Sequence, residues 1–125
     1  MVEGGEGCIS VASNVAPELC RDMYLACKRG RIGRAQQLGA DVKRLSAALS
    51  REPSPAPLKY ALSRLDLMSP TVRLPLVEAS AQSKSELDAL LSDLRERHGS
   101  CMIASSGPPK ADGVSAFARL VARVS

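Results

Sequence analysis

Residues 4–16 read GGEGCISVASNVA, and this stretch decides the fold because it holds the clearest strand signal of the chain. Its glycines lead into the short, partly β-branched apolar run of residues 8–11, which ends at Asn14, a pattern that predicts a turn followed by one brief β-strand. A strand cannot pair its own backbone N–H and C=O groups, so it requires neighbouring strands. We therefore expect this strand to belong to a sheet that the chain alone does not complete.

Helical patterns begin directly after this stretch. Pro17 is tolerated in the first turn of a helix, Glu18 lies near the positive N-terminal end, and Gly30 provides a stop. The next segment has apolar residues at intervals of three and four, which predicts an amphipathic helix. The residues with this spacing are Ile32, Ala35, Leu38, Val42, Leu45 and Leu49.

Prolines end the second predicted helix. Pro53, Pro55 and Pro57 each fix φ and restrict the preceding residue, so a turn is expected there. A short helix should follow, carrying Leu58, Ala61, Leu62 and Leu65. Residues 68–80 are then predicted to form an extended connection laid against the core.

A last helix is predicted to open with the capping box Ser83-x-x-Glu86 and to end at Gly99. Its buried face should comprise Leu87, Leu90, Leu91 and Leu94. Residues 100–113 are small, polar and rich in Pro and Gly, which predicts a flexible tail. Within the tail, residues 116–124 have the pattern of a two-turn amphipathic helix.

Length and composition exclude several classes of protein. The chain has 125 residues, and a closed (β/α)8 barrel takes about 250. Its net charge is +4, but it has no long basic run and only one Phe, two Tyr and no Trp, so nucleic-acid binding is not expected. No apolar stretch approaches the roughly 18 residues of a membrane span, and no secretory signal opens the sequence. We expect a soluble, cytoplasmic protein that contacts neither nucleic acid nor membrane.

The residues that usually bind metals or phosphates are not arranged for either task. The four cysteines, Cys8, Cys20, Cys27 and Cys101, form no CxxC pair, and His98 has no partner near it in sequence. The glycines near the N-terminus lack the spacing of a phosphate-binding loop. No metal and no cofactor are expected, and the cysteines are interpreted as free thiols.

Three stretches together resemble the C-terminal end of the dihydrodipicolinate synthase family, which belongs to the superfamily of pyruvate-dependent class I aldolases and lyases. They are residues 4–16, residues 52–61 reading EPSPAPLKYA, and residues 72–76 reading VRLPL, in the family's order and spacing. The resemblance covers about residues 4–99. Two features depart from it: Ser54 replaces the Asn of an Asn-Pro-x-Pro pattern, and the tail from Ser100 is unlike the family's short ending.

The resemblance implies a mostly α chain: the C-terminal fragment of a TIM barrel, with the last strand, and its helical extension. Residues 1–15 are expected to be the remnant of the eighth barrel strand, residues 16–99 the helical C-terminal region, and residues 100–125 a tail of unknown origin. By the same resemblance, Ile9 corresponds to a residue that lines the pyruvate pocket beside the Schiff base. An ordinary aliphatic residue of the barrel core would satisfy the sequence equally well.

The family's Schiff-base lysine and proton-relay tyrosine find no match in this chain. Its lysines are Lys28, Lys43, Lys59, Lys84 and Lys110. None of them lies in the apolar strand, the place where desolvation would make an amine nucleophilic. Tyr24 and Tyr60 fall on predicted helices and are interpreted as core or interface residues. No catalytic residue is therefore expected in this chain.

Three hypotheses about function follow. The first is the C-terminal piece of a Schiff-base-forming lyase that condenses pyruvate with aspartate semialdehyde, in the biosynthesis of lysine and diaminopimelate, and that is inactive alone. The second is a fragment of a related pyruvate aldolase, similar to N-acetylneuraminate lyase or a keto-deoxy sugar acid aldolase. The third is a non-catalytic helical interaction protein. Association with subunits of the family, as a homo-oligomer, is expected. Under the third hypothesis the chain binds a full-length relative or another partner.

Overall fold

The computed structural model describes residues 7–99, and this part of the chain is helical. A 3-10 turn over Ala12–Asn14 leads into four α-helices, which we number in chain order. They are α1 (Pro17–Lys28), α2 (Ile32–Leu49), α3 (Ala56–Ser63) and α4 (Ala81–His98). The prediction of a mostly α chain is confirmed for this part of the sequence.

α1 and α2 form a tight helical hairpin. Gly30 joins them with a φ of 68°, a left-handed conformation that glycine adopts without a steric penalty. At the contact between the two helices, a Cβ placed on Gly39 would lie 3.5 Å from Sδ of Met23. This is ordinary van der Waals contact, so Gly39 is tolerated within α2 and is not required by the packing.

The core consists almost entirely of aliphatic side chains from all four helices. The predicted faces of α2 and α4 are buried, except that Ile32 is exposed and Val42 is only partly buried. The residues of largest volume that are fully buried include Leu19, Leu38, Leu45, Leu65, Leu87 and Leu94. At about 25 cal/mol per Å² of apolar area, burial of such leucines is the main source of stability for a chain with so few aromatic residues.

α2 and α4 run antiparallel, and ion pairs follow their contact. Arg51, just beyond α2, lies 3.1 Å from Glu86 on α4, and Arg44 lies 2.8 Å from Asp93. Asp41 closes the series near the C-terminal end of α4, where two basic residues, Arg97 and His98, contact its carboxylate at 2.9 and 2.7 Å.

Asp41 is the buried member of this network. Its side chain is 8% exposed and that of His98 is 9% exposed, whereas the Arg44 and Arg97 side chains that also approach Asp41 are about half exposed. Burying an ionised carboxylate is unfavourable unless its oxygens are paired, as those of Asp41 are. His98 has no partner near it in sequence, and the fold supplies Asp41 from 57 positions away.

The predicted capping box of the last helix is displaced by one turn. α4 begins at Ala81, and its cap is Ser80, whose hydroxyl oxygen accepts a hydrogen bond from the backbone N–H of Ser83. The carboxylate that completes the cap comes from Glu52, in the loop after α2, and not from Glu86. It accepts hydrogen bonds from the backbone N–H and hydroxyl of Ser80 and from the hydroxyl of Ser83. The predicted buried face of α4 is confirmed, but its cap depends on a residue distant in sequence.

The connection between α3 and α4 also differs from the prediction. It is extended, but most of its apolar side chains point to solvent, with Leu74 89% and Val77 73% exposed. Ala79 is the one residue of positions 68–80 that is buried. This segment is therefore not laid against the helical core.

Gly7 to Ser10 contain no regular secondary structure, and no strand occurs anywhere in residues 7–99. The predicted strand is thus absent from the described part of the chain. The physical reason is that a strand needs partners for its backbone N–H and C=O groups, and the four helices provide none. The predicted tail and its short helix lie outside the described residues.

Replacing Glu52 with Gln should destabilise the fold at neutral pH. Hydrogen bonds from Ser80 and Ser83 lower the pKa of Glu52, so the charged form contributes stability above the unfolded-state pKa and loses it as the pH falls through the folded-state pKa. We expect Glu52→Gln to lower the midpoint of thermal unfolding at pH 7, with a difference from the wild type that shrinks below about pH 4. Circular dichroism measures the unfolding midpoints of both proteins at each pH.

Glu96→Gln is the matched control, because Glu96 is exposed on α4 and forms no hydrogen bond within the described residues. It should leave the midpoint at pH 7 unchanged. A loss for Glu52→Gln that is the same at pH 7 and pH 3 would contradict the assignment of Glu52 to the cap.

Replacing Asp41 with Ala should cost about 1–3 kcal/mol in the free energy of unfolding, because the buried imidazole of His98 loses its acceptor. Asp93→Ala removes a carboxylate of the same network that is 39% exposed, and a smaller loss is expected. Urea unfolding of both variants at pH 7 gives the comparison. Equal losses in the free energy of unfolding would contradict the prediction that the burial of Asp41 makes its removal the more costly of the two.

Candidate functional site

The segment that precedes α1 is held in place by short-range hydrogen bonds. The backbone N–H and the hydroxyl of Ser13 donate to Oγ and to the backbone oxygen of Ser10, at 3.3 and 2.6 Å. The Asn14 amide donates to the backbone oxygen of Val11 at 3.1 Å. Val15 and Ala16 then enter the core, both at 0% exposure. These contacts fix where residues 7–11 leave the helical body.

Ile9, the predicted pocket residue, lies on this segment with its side chain fully exposed, at 107%. The next residue, Ser10, is half-buried. Partial burial raises the pKa of the Cys20 thiol on α1, an effect that the Ser10 hydroxyl opposes. The structure thus leaves Ile9 exposed and Ser10 partly covered.

The lysines of the described residues occupy polar, solvent-accessible positions. The Lys59 ammonium donates to the backbone oxygen of Thr71, and Lys84 pairs with Glu78 at 3.0 Å. Lys28 and Lys43 are exposed on α1 and α2. A lysine amine becomes nucleophilic when desolvation or a neighbouring cation favours its neutral form. None of these four lysines is desolvated. Lys110 lies outside the described residues.

Tyr60 links two helices. Its hydroxyl donates to Asp88 on α4 at 2.9 Å, and Arg64 donates to the other oxygen of the same carboxylate at 2.8 Å. Burial and the Asp88 carboxylate both raise the pKa of Tyr60, which stabilises the neutral phenol. Tyr24 is half-buried on α1, with the Lys28 ammonium 6.0 Å from its ring centre. The geometry gives Tyr60 a packing role between α3 and α4.

Residues 7–99 contain no group of three or more His, Cys, Asp or Glu side chains that could hold a metal ion. In the same part of the chain, no helix combines the length and apolarity needed to cross a membrane. Of the residues singled out in the sequence, His98 meets Asp41 and Tyr60 meets Asp88. Within residues 7–99 no catalytic set comes together.

Comparison with known proteins gives a consistent result. The family model described as the dihydrodipicolinate synthetase family matches residues 1–94. The 4-hydroxy-tetrahydrodipicolinate synthase of Gluconobacter oxydans is 47% identical over 94 residues, covering 75% of this chain and 32% of the relative. That of Zymomonas mobilis is 50% identical over 93 residues, covering 74% and 32%. The chain therefore spans about a third of the length of the curated relatives it matches.

Solved structures agree with the sequence matches. A monomeric dihydrodipicolinate synthase variant superposes with a TM-score of 0.71 at 33% identity, covering 74% of this chain and 31% of the other. Dihydrodipicolinate synthase from Thermotoga maritima superposes with a TM-score of 0.70 at 33% identity, covering 74% and 31%. The helical arrangement described above is thus also found in these enzymes. On this evidence the chain belongs to the dihydrodipicolinate synthetase family.

Proposed function

We propose that this chain is the C-terminal part of a Schiff-base-forming lyase that condenses pyruvate with aspartate semialdehyde, a step towards lysine and diaminopimelate in the cytoplasm. The observation that carries the proposal is the family match over residues 1–94, together with relatives named 4-hydroxy-tetrahydrodipicolinate synthase at 47–50% identity. Subunits of this family are the proposed partners.

The proposed organisation follows the sequence divisions. Residues 1–15 correspond to the remnant of the eighth strand of a (β/α)8 barrel, residues 16–99 to its helical C-terminal region, and residues 100–125 to a tail of unknown origin. Two observations support this division. Residues 7–10 remain without strand partners while the helices after them form a core, and the family match ends at residue 94.

Ile9 is proposed to line the pyruvate pocket. Side chains alternate along a strand, and in a barrel they face in turn the surrounding helices and the interior. Ser10 is half-buried and Ile9 is fully exposed, so a strand through these residues would direct Ile9 away from the helices, towards the interior. Its full exposure in this chain is consistent with a side chain whose neighbours come from other strands.

The chain alone is proposed to be inactive, because a Schiff-base mechanism needs an activated lysine. The four lysines of the described residues are solvated or paired with oxygen atoms, and none lies in an apolar site. The activated amine would belong to the two thirds of the relatives that this chain does not match. A sugar-acid aldolase would use the same lysine, and the aldehyde substrate distinguishes it from the synthase.

A helical interaction protein is the second candidate, and one observation favours it. Leu67, Met68, Leu74 and Val77 expose apolar surface along the connection between α3 and α4. Large exposed apolar side chains along one segment are typical of contact surfaces. This function requires no chemistry from the chain, and it predicts that the chain binds a partner without any barrel.

Incubation of the purified chain with pyruvate and borohydride should leave its intact mass unchanged. Borohydride reduces a Schiff base to a stable amine, so mass spectrometry detects any lysine that condensed with pyruvate. The synthase of Gluconobacter oxydans under the same conditions is the positive control. A stoichiometric adduct on this chain would contradict the proposed inactivity and would identify one of its lysines as nucleophilic.

A chimera should recover activity. It joins the unmatched N-terminal two thirds of the Gluconobacter oxydans synthase to this chain, and we expect it to consume pyruvate with aspartate semialdehyde and not with a sugar aldehyde. In the chimera, Ile9→Ala should raise KM for pyruvate roughly tenfold, because the pocket loses apolar contact. Leu74→Ala, on the exposed connection, should leave KM unchanged. A soluble chimera without activity towards either aldehyde would overturn the proposed function.

A further inference from the structure

The turn between α1 and α2 concentrates positive charge, and we call residues 28–34 the basic turn. Four of these residues, Lys28, Arg29, Arg31 and Arg34, are basic, and all four are exposed. Residues 23–40 contain no Asp or Glu, so no neighbour in sequence offsets this charge. The basic turn thus contributes four positive charges to a chain whose net charge is +4.

The rest of the described fold does not neutralise the basic turn. Within residues 7–99, its four basic side chains form no ion pair with a carboxylate. Most arginines elsewhere in the same part of the chain do have such a partner, namely Arg21, Arg44, Arg51, Arg64 and Arg97. The basic turn therefore has the charge for ion pairs that the described residues do not complete.

Two of the four basic residues are unfavourable for the helix that they begin. Arg31 is the N-cap residue of α2 and Arg34 lies in its first turn, where the helix dipole favours Asp or Glu. α2 has no acidic residue in that turn, and the side chain of its N-cap residue forms no capping hydrogen bond. A carboxylate placed beside Arg31 and Arg34 would remove their mutual repulsion and their conflict with the dipole.

The chemistry of the basic turn selects among anionic macromolecules. Three of its four basic residues are arginine, whose planar guanidinium pairs with carboxylates in a bidentate geometry. Surfaces that bind single-stranded nucleic acid add aromatic side chains for base stacking, and residues 28–34 contain none. Surfaces that bind membranes add an apolar face, and Ile32 is the one large apolar side chain exposed in this turn. An acidic polypeptide fits these features best.

The two ends of this chain are poorly suited to be that polypeptide. Residues 100–125 hold three basic residues, Lys110, Arg119 and Arg123, and one acidic residue, Asp112. The acidic residues near the N-terminus lead into the opposite end of α1, which is about 18 Å along the helix axis from the basic turn. The partner is therefore sought in another protein.

We infer that the basic turn is a docking site for a segment of another polypeptide that is rich in Asp and Glu. The carboxylates of this segment pair with Arg29, Arg31 and Arg34 and place negative charge at the N-terminal end of α2. The inference is independent of the proposed function, because it uses neither a barrel nor Ile9, and its experiment needs no enzyme activity.

The test is binding of the full 125-residue chain to a fluorescein-labelled poly-glutamate peptide, measured by fluorescence anisotropy. Binding should weaken as the ionic strength rises, because salt screens exposed charges. Arg31→Glu combined with Arg34→Glu should weaken it by about tenfold or more, since two attractive contacts become repulsive. Lys43→Glu combined with Arg73→Glu is the matched control, because it changes the net charge equally at exposed positions outside the basic turn. It should weaken binding by less than about threefold.

Thermal unfolding of the same variant gives a second readout, which distinguishes a lost docking site from a damaged fold. Arg31→Glu with Arg34→Glu should raise the unfolding midpoint by roughly 4–8 °C, because carboxylates at the start of α2 interact favourably with its dipole. A lower midpoint would show that the two arginines stabilise α2 and would contradict the inference. Arg31→Gln with Arg34→Gln, which only removes charge, should weaken peptide binding to a smaller extent.

Three binding results would overturn the inference. The first is that the chain does not bind poly-glutamate at low ionic strength. The second is an equal loss of affinity in the basic-turn variant and in the matched control, which would assign binding to the net charge alone. The third is tighter binding to vesicles containing phosphatidylserine, or to a single-stranded RNA, than to the peptide.

Discussion

The described fold depends on the burial of α2, the helix on which all the other elements pack. α1, α3, α4 and the 3-10 turn all contact it, and its Leu38 and Leu45 are wholly enclosed. Its polar side is used as well, since Asp41 and Arg44 pair with residues of α4. A helix that buries an apolar face and pairs its flank with a neighbour fixes both the position and the direction of that neighbour. This is how an 18-residue helix organises a core with almost no aromatic side chains.

The helices were predictable from sequence because their information is local. Intervals of three and four residues identify the buried faces of α2 and α4, and Pro17 and Gly30 mark the ends of α1. The interactions that join helices were not predictable in this way. Glu52 caps a helix that begins 29 positions later in the sequence, and Asp41 meets His98 across 57 positions. No sequence interval signals such pairs, because the geometry that creates them appears only after the helices have packed.

The prediction that the connection between α3 and α4 lies against the core was wrong for a related reason. Its apolar residues, including Leu74 and Val77, suggested contact with the core, yet they are exposed in this chain. Apolarity in a sequence indicates that a residue is buried somewhere, and it does not state whether the burying surface lies within the same chain. The family relationship accounts for this ambiguity, since the relatives are about three times longer than the part matched here.

The distinction between contacts made within the chain and contacts that other parts of a protein must supply also explains the structure of the candidate site. A helix pairs the backbone groups of its interior within itself and leaves only those of its end turns to caps or solvent, so α1 to α4 can form a core wherever their apolar faces meet. A strand satisfies none of them alone, so residues 7–10 take no regular structure even though their sequence has a strand pattern. Ile9 lies in this segment and is fully exposed, so its proposed role depends on neighbours from outside the described residues. The described part of the chain thus separates into a helical part whose structure is defined within the chain and an N-terminal segment whose strand pattern would need a sheet to form a strand.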